Sequence, residues 1–343
     1  MEAQSTTWQK LIEHQDEILV NLSRSLQQRF PSVDWQGYVP ILYKHITRTV
    51  KTSDTTLSAR YLNWFNVMVK NRLNRENFSH ELLDITHQHI NQLVNSGDEE
   101  VIKQILSEIK SSSSQIPLDD HETSRLDVTL KHGNLAHLFF NFLLDGDRNA
   151  ATLLIKDAIS DGIPIEEIYL DIIQPCMEEV GRLWELNKLT VAQEHYITAA
   201  TQVVMSQMTP YTFKTQRNGK KLIASSVSND LHELGIRMVT DIFELDGWDT
   251  HYLGGNLPIS SLIDEVKRWK PDVLALSVTL GSQLDDVEDI IREIKSREET
   301  HQVKVMVGGK IINENPELKL NPEPDHYARD VRDGLSWANN SAA

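Results

Sequence analysis

The feature that most constrains this chain is a polar loop that joins a strand pattern to a helix pattern in its last third. The apolar run from Leu222 to Val227 predicts a strand, and apolar residues at helical spacing after Gly235 predict a helix. Between them lies the sequence Asp230-x-His232-x-x-Gly235. Loops after strands at the carboxyl edge of an α/β sheet are where such folds bind ligands. We therefore predict that His232 binds a ligand, because Asp230 can hold one imidazole nitrogen while the other meets a metal.

Two further markers follow in the same domain, each at the end of a strand pattern. Ser277-Val-Thr279 comes after 41 intervening residues, counted from Gly235. Gly308-Gly309 comes after 28 more, counted from Thr279. In type, order and spacing the three markers resemble the fingerprint of the cobalamin-binding domain found in methionine synthase, corrinoid methyl carriers, cobalamin-dependent mutases and cobalamin photoreceptors.

This resemblance covers roughly residues 220–343 and implies a Rossmann-like, doubly wound parallel sheet that binds cobalamin base-off. In the family, the loop histidine replaces the cofactor's dimethylbenzimidazole as lower axial ligand, which assigns His232 to cobalt. The displaced base lies in a slot floored by the paired glycines, which allow close backbone approach, and touched by the serine hydroxyl. The implied cofactor-binding residues are Asp230, His232, Gly235, Ser277, Thr279, Gly308 and Gly309.

A second group of residues lies in the middle of the chain, where Trp184 is followed after nine residues by Glu194-His195, with Val191 between them. This group resembles the four-helix cap of light-sensing, adenosylcobalamin-binding repressors. The resemblance implies that Trp184 stands against the adenosyl group and that Glu194 and His195 complete its pocket. The chain departs from the pattern at Glu185, where the repressors have a histidine that captures cobalt after photolysis. A two-histidine photoproduct is therefore not expected, unless His195 substitutes.

The remaining patterns divide the chain into a multidomain α and α/β protein. Apolar residues at helical spacing predict an N-terminal helical bundle over residues 1–110. A serine run followed by proline and acidic residues predicts a linker at 111–121. Residues 122–211 form the predicted helical cap of the cobalamin site, and 220–343 form the cobalamin-binding domain.

The N-terminal bundle differs from the basic winged-helix reader of the repressors. A formal net charge of -16 and the lack of a helix-turn-helix pattern argue against direct DNA binding. The bundle loosely resembles the helical domain of cobalamin photoreceptors that also bind biliverdin, and without cysteine there any bilin would be non-covalent. Self-association or a spacer role is the equal alternative. The residues considered for a pigment are His45, His80, His87, His89, Trp35, Trp64, Arg48 and Arg60.

Composition and length bound the cellular setting. The single cysteine, Cys176, cannot form an internal disulfide, which favours a reducing cytoplasm. The sequence lacks an apolar run of membrane-spanning length and a signal-peptide profile at its first residues. We expect no membrane partner, a homo-oligomer and an unidentified signalling partner. No independent catalytic apparatus is recognised, so the chain is not expected to be an enzyme.

Three functional hypotheses follow. The first is a light sensor that binds adenosylcobalamin base-off with His232 on cobalt, with biliverdin as a candidate second chromophore. The alternative is a corrinoid protein that carries methyl groups to a separate methyltransferase. The third is a cobalamin sensor that works without light. The spacing from Trp184 to His195 favours the first.

Overall fold

The computed structural model describes residues 2–33, 35–75, 78–94, 96–115, 123–212, 215–228 and 230–341. The chain folds into two compact units. The N-terminal unit comprises Met1–Thr123 together with Arg182–Thr190, and the C-terminal unit comprises Ser124–Gly181 together with Val191–Ala343.

The N-terminal unit is helical, as predicted. Its helices are α1 (Glu2–Glu13), α2 (Gln15–Arg29), α3 (Trp35–Thr52), α4 (Thr56–Leu73), α5 (Phe78–Ile90) and α6 (Ser96–Ser113). Ile18, Leu22 and Leu26 are buried along one face of α2 because they recur every four residues. Asn74 caps the C-terminus of helix α4 in a left-handed conformation (φ 51°). Asparagine adopts this conformation more readily than most residues, because its short polar side chain can form local hydrogen bonds.

An aromatic cluster forms the centre of this unit. The rings of Trp35, Phe65 and Phe78 pack with centroid separations of about 6 Å, in tilted arrangements that aromatic pairs prefer. The indole of Trp35 donates a hydrogen bond to the Phe30 carbonyl (2.9 Å), so its polar edge is satisfied although the side chain is buried. Because Trp35, Phe65 and Phe78 belong to α3, α4 and α5, this cluster packs three helices against one another.

Helices precede the sheet in the C-terminal unit. They are α7 (Gly133–Leu144), α8 (Arg148–Ser160), the short α9 (Ile165–Glu167), a π-helical turn (Ile168–Ile173), α10 (Gln174–Glu185) and α11 (Val191–Thr212). Helix α10 continues past this unit, because its last residues pack within the N-terminal unit. We call α7 to α11 the helical cap.

The sheet that follows has five parallel strands in the order β2-β1-β3-β4-β5. Its elements, after the cap, are β1 (Lys221–Ser226), α12 (Leu234–Leu245), β2 (Asp249–Tyr252), α13 (Ile259–Trp269), β3 (Val273–Ser277), α14 (Leu284–Ser296), β4 (Lys304–Gly308), α15 (Lys310–Asn313), β5 (His326–Tyr327) and α16 (Val331–Ser341). The order in which strands are added to the sheet reverses between β1 and β3. Open α/β sheets bind ligands at the carboxyl ends of the strands at such a switch point. The doubly wound fold predicted from the sequence is confirmed.

The structure differs from the predicted domain division at two places. The linker predicted at 111–121 begins inside a helix, because α6 runs through Ser113, which is buried and donates a hydrogen bond to the Lys110 carbonyl. Residues 116–121 of that linker lie outside the described residues. Residues 182–190, inside the predicted cap of 122–211, cluster with the N-terminal unit. Within the described ranges, no helix is long and apolar enough to span a membrane.

The loop after β4 depends on glycine for a reason internal to the fold. Gly309 has φ +108°, and a Cβ there would lie 2.4 Å from the Val278 carbonyl oxygen. Gly235, in contrast, has no atom within 4 Å of the position that its Cβ would occupy, and it lies in the first turn of α12.

We predict opposite effects when each of these glycines is replaced by alanine. Gly309→Ala should destabilise the unliganded protein by at least about 2 kcal/mol through backbone strain and overpacking. Gly235→Ala should leave it unchanged or stabilise it by about 0.5–1 kcal/mol, because alanine is the better helix former. Urea denaturation followed by circular dichroism measures both. Equal destabilisation would contradict this account of the loop.

Candidate functional site

The centre of the site is the Asp230 carboxylate, which is fully buried in the loop after β1. Its Oδ1 accepts a hydrogen bond from the backbone N–H of His232 (2.9 Å) and lies 2.7 Å from His232 Nδ1. Its Oδ2 accepts from the backbone N–H of Thr279 (3.0 Å). One carboxylate therefore joins the loops after β1 and β3. Because Asp230 accepts from Nδ1, the imidazole is held in the tautomer that leaves a lone pair on Nε2.

The histidine itself is open to solvent on its other side. The side chain of His232 is 62% exposed, and no hydrogen bond among the described residues uses Nε2. The neighbouring Leu231 is 79% exposed, which is unusual for a leucine beside a fully buried carboxylate. An exposed imidazole nitrogen beside an uncovered apolar side chain suits a large, partly apolar ring with a metal at its centre. These residues fit the corrin ring that the resemblance implies.

Small residues lie next to this loop at the carboxyl ends of three adjacent strands. Ser226, Ser277 and Gly308 are in register across β1, β3 and β4. This row of small residues lies where the resemblance places the slot for the displaced base. A Cβ at Gly308 would lie 3.1 Å from the Ala328 carbonyl oxygen, which is a tight contact. The structure thus brings Asp230, His232, Ser277, Thr279, Gly308 and Gly309 to one edge of the sheet.

The predicted upper-face residues Val191, Glu194 and His195 lie in the first turns of α11. Glu194 is held in place by two contacts: Thr198 donates to its Oε1 (2.9 Å), and His195 Nδ1 lies 2.5 Å from its Oε2. Val191 is 54% exposed, and the His195 side chain is mostly exposed. This turn of α11 therefore presents an ordered carboxylate beside an uncovered apolar residue.

The other predicted upper-face residue, Trp184, is described within the N-terminal unit. The Arg72 guanidinium lies over its ring, 4.7 Å from the centroid, and also donates to its carbonyl oxygen (3.4 Å). The next residue, Glu185, accepts a hydrogen bond from the indole N–H of Trp64 (2.9 Å). Glu185 thus anchors its segment to α4, which gives a structural role to the residue that departs from the repressor pattern.

One of the histidines considered for a pigment lies in the core of the N-terminal unit. His45 is buried and stacks on Tyr61 with a centroid separation of 4.7 Å. Burial, with a smaller contribution from Arg48, lowers the pKa of His45 to about 3, so its imidazole is neutral. Its Nδ1 has no hydrogen-bond partner among the described residues. An open groove of about 530 Å³ lies elsewhere in this unit, and none of the residues considered for a pigment lines it.

A set of polar contacts that the sequence did not predict joins the helical cap to the sheet. Gln202 of α11 donates to Glu233 Oε1 (2.8 Å), directly beside His232. Tyr169 donates to Asp241 Oδ2 (2.5 Å), and burial raises the pKa of that carboxyl. The only sequence signal for these contacts is that the polar residues of α12 recur at helical spacing, which does not identify their partners.

Two segments match models of known families. Residues 220–335 match a model described as "B12 binding domain", and residues 135–208 match a second model with the same description. The chain therefore contains B12-binding domains, as the three sequence markers predicted.

Relatives of known name lie among the corrinoid proteins. Dimethylamine corrinoid protein 2 of Methanosarcina acetivorans is 27% identical over 39% of this chain and 62% of its own length. Trimethylamine corrinoid protein 1 of the same organism is 24% identical over 57% of this chain and 90% of its own length. The chain thus spans less than two thirds of the first relative and most of the second.

A solved structure confirms the fold. The monomethylamine corrinoid protein of Methanosarcina barkeri superposes with a TM-score of 0.53 at 19% identity, over 61% of this chain and 99% of that one. The remaining 39% of this chain has no counterpart in it. None of the relatives described here is named as a light receptor, so their names favour the methyl-carrier alternative over the light sensor.

Variants of His232 and Asp230 test the assignment of His232 as the lower ligand of cobalt. His232→Ala should remove the protein nitrogen from cobalt and sharply weaken cobalamin binding. Asp230→Asn should weaken binding by roughly 10- to 100-fold, as expected for a residue that orients a metal ligand. Asp249→Asn, the same change at an exposed position of β2, is the matched control and should bind normally. Absorbance titration measures all three, and unchanged binding by His232→Ala would remove the assignment.

A second variant tests the row of small residues. Ser277→Leu should fill the space between Ser226 and Gly308 and exclude the displaced base while the sheet stays folded, because Ser277 is only partly buried. We expect weaker binding of cobalamin than of cobinamide, which lacks that base. Equal weakening of both ligands would show that the row does not hold the base.

Proposed function

We propose that this chain is a light sensor that binds adenosylcobalamin base-off, with His232 Nε2 as the lower ligand. The observation that carries the cobalamin assignment is the Asp230 carboxylate, which fixes the His232 ring and ties it to the neighbouring loop. In this proposal Asp230 positions the imidazole, and Ser277 and Gly308 leave room for the displaced base. When bound, adenosylcobalamin would supply a cobalt–carbon bond that light can break.

Two observations support an adenosyl upper ligand. The spacing of Trp184, Val191 and Glu194-His195 resembles that of the light-sensing repressors. The Glu194 carboxylate is held by Thr198 and His195 in the first turns of α11, so it is already ordered for hydrogen bonds to sugar hydroxyls. A methyl group has no hydrogen-bond donor, so it would make no hydrogen bond to this carboxylate.

The N-terminal unit supports a sensor in a further way. The two B12-binding matches, residues 135–208 and 220–335, begin after Thr123, where the first segment of this unit ends. We propose that this unit either binds biliverdin non-covalently or mediates homo-oligomerisation. The unpartnered Nδ1 of buried His45 supports the pigment, since bilin pyrroles offer N–H donors.

A second candidate, a corrinoid methyl carrier for a separate methyltransferase, is favoured by the relatives. They are named as corrinoid proteins for dimethylamine and trimethylamine, and one of them is matched over 90% of its length. A carrier of this kind would use the same His232 and the same slot. The two candidates differ only in what the upper face selects.

The nature of the upper ligand decides between them. The chain is purified in the dark and titrated with adenosylcobalamin and with methylcobalamin under dim red light. For the sensor, Glu194→Ala should weaken adenosylcobalamin binding by about 10-fold, the loss expected for hydrogen bonds to a charged group, and should leave methylcobalamin unaffected. Gln207→Ala, an exposed residue on the same helix, is the matched control.

Light provides the second measurement. Absorbance spectra and light-scattering mass are recorded before and after illumination, with and without biliverdin. The sensor proposal expects a change in mass on illumination with adenosylcobalamin bound. Equal affinity for both cofactors, no effect of Glu194→Ala and no change of mass in light would favour the methyl carrier. A red absorbance band with biliverdin that requires His45 would support the second chromophore.

A further inference from the structure

One face of α11 carries a row of polar residues that extends from the upper-face glutamate to the cobalt-binding loop. Glu194, Thr198, Gln202 and Ser206 recur every four residues, so they lie along one side of the helix. Thr198 bonds Glu194, and Ser206 bonds the Gln202 carbonyl (2.8 Å). Glu194 and Gln202 are eight residues apart, which corresponds to about 12 Å along the helix axis.

The facing side of α12 completes a polar interface. Glu233, at the N-terminal cap of α12, accepts from Gln202, and one turn later Arg237 donates to Ser206 (2.9 Å). Further along, Asp241 accepts from the buried Tyr169. Interfaces of this polar kind separate and re-form more readily than apolar ones. The contact nearest to the site is Gln202–Glu233, because Glu233 follows His232 directly in the chain.

The position of Glu233 ties the Gln202–Glu233 contact to the loop that carries His232. Its backbone N–H bonds the Leu231 carbonyl (3.0 Å), so both ends of the residue are engaged beside the histidine. Gln202 is partly buried and its amide is directed to Glu233 from a different part of the chain, 31 residues away. A displacement of α11 must therefore either break this bond or move the loop that holds His232.

We propose that Gln202 and Glu233 are positioning residues that couple the upper-face end of α11 to the lower ligand His232. A change at Glu194 and a change at His232 then affect each other through one rigid helix and one hydrogen bond. The proposal rests on the assignment of His232 as cobalt ligand. It adds that a shift of α11 in the helical cap also shifts the loop that carries His232. A ligand that displaces α11 would loosen His232, and loss of His232 from cobalt would release α11.

Amide exchange in the protein without cofactor tests the coupling directly. The reporter is the His232 backbone N–H, which is bonded to Asp230. In Gln202→Leu this amide should exchange roughly 10-fold faster, the change expected when one hydrogen bond to a charged group is lost. Ser206→Ala, which removes the Arg237 contact one turn away, is the matched control and should exchange at the wild-type rate.

An exchange of donor and acceptor keeps the test informative if Gln202→Leu folds poorly. The double variant Gln202→Glu with Glu233→Gln restores the bond in the opposite direction and should restore slow exchange, whereas Gln202→Glu alone should not. Paramagnetic resonance of the cobalt(II) form then reports whether a histidine nitrogen is bound. Wild-type exchange in Gln202→Leu, or equal acceleration in Ser206→Ala, would overturn the coupling. If His232→Ala loses the histidine nitrogen signal but Gln202→Leu keeps the wild-type spectrum, the coupling is overturned. The assignment of His232 as the ligand would then still hold.

Discussion

The buried Asp230 carboxylate is the interaction on which the site depends. A charged group without solvent must be fully hydrogen-bonded, because an unpaired buried charge costs several kcal/mol. Asp230 meets this requirement by accepting from two loops, those of His232 and Thr279, and the need for partners fixes both loops at the switch point of the sheet. The orientation of the imidazole is therefore determined by the folding of the sheet before any cofactor binds.

Much of the C-terminal fold and its centre could be predicted from the sequence. Strand and helix patterns alternate there, so the parallel sheet and the places of His232, Ser277 and Gly308 at its carboxyl edge follow from the chain order. The contact to Thr279 could not be predicted, because it uses a backbone N–H that every residue except proline possesses. Likewise, the crowding of Gly309 by the Val278 backbone depends on how two loops meet, which no local pattern encodes.

The differences between the sequence interpretation and the structure come from long-range contacts. Serine is a weak helix former, so the run at 111–114 predicted a linker, yet Ser113 is buried and the helix continues through it. Trp184 was assigned to the cap from its place in the sequence, whereas Arg72 and Trp64, more than 100 residues earlier, hold it and Glu185. Sequence separation of this size leaves no periodic signal, and tertiary packing overrides local preference.

The nine residues Arg182–Thr190 have a practical consequence for dissecting this protein. They lie by sequence inside the helical cap, from the end of α10 to the start of α11, and pack with the N-terminal unit, so no single cut of the chain separates the two units. A shortened chain that starts after α6 would retain Trp184 without Arg72 on its ring and Glu185 without the Trp64 indole. Any altered behaviour of such a chain would combine the loss of a domain with the exposure of a bare aromatic surface. Single substitutions at Trp64 or Arg72 separate these two effects.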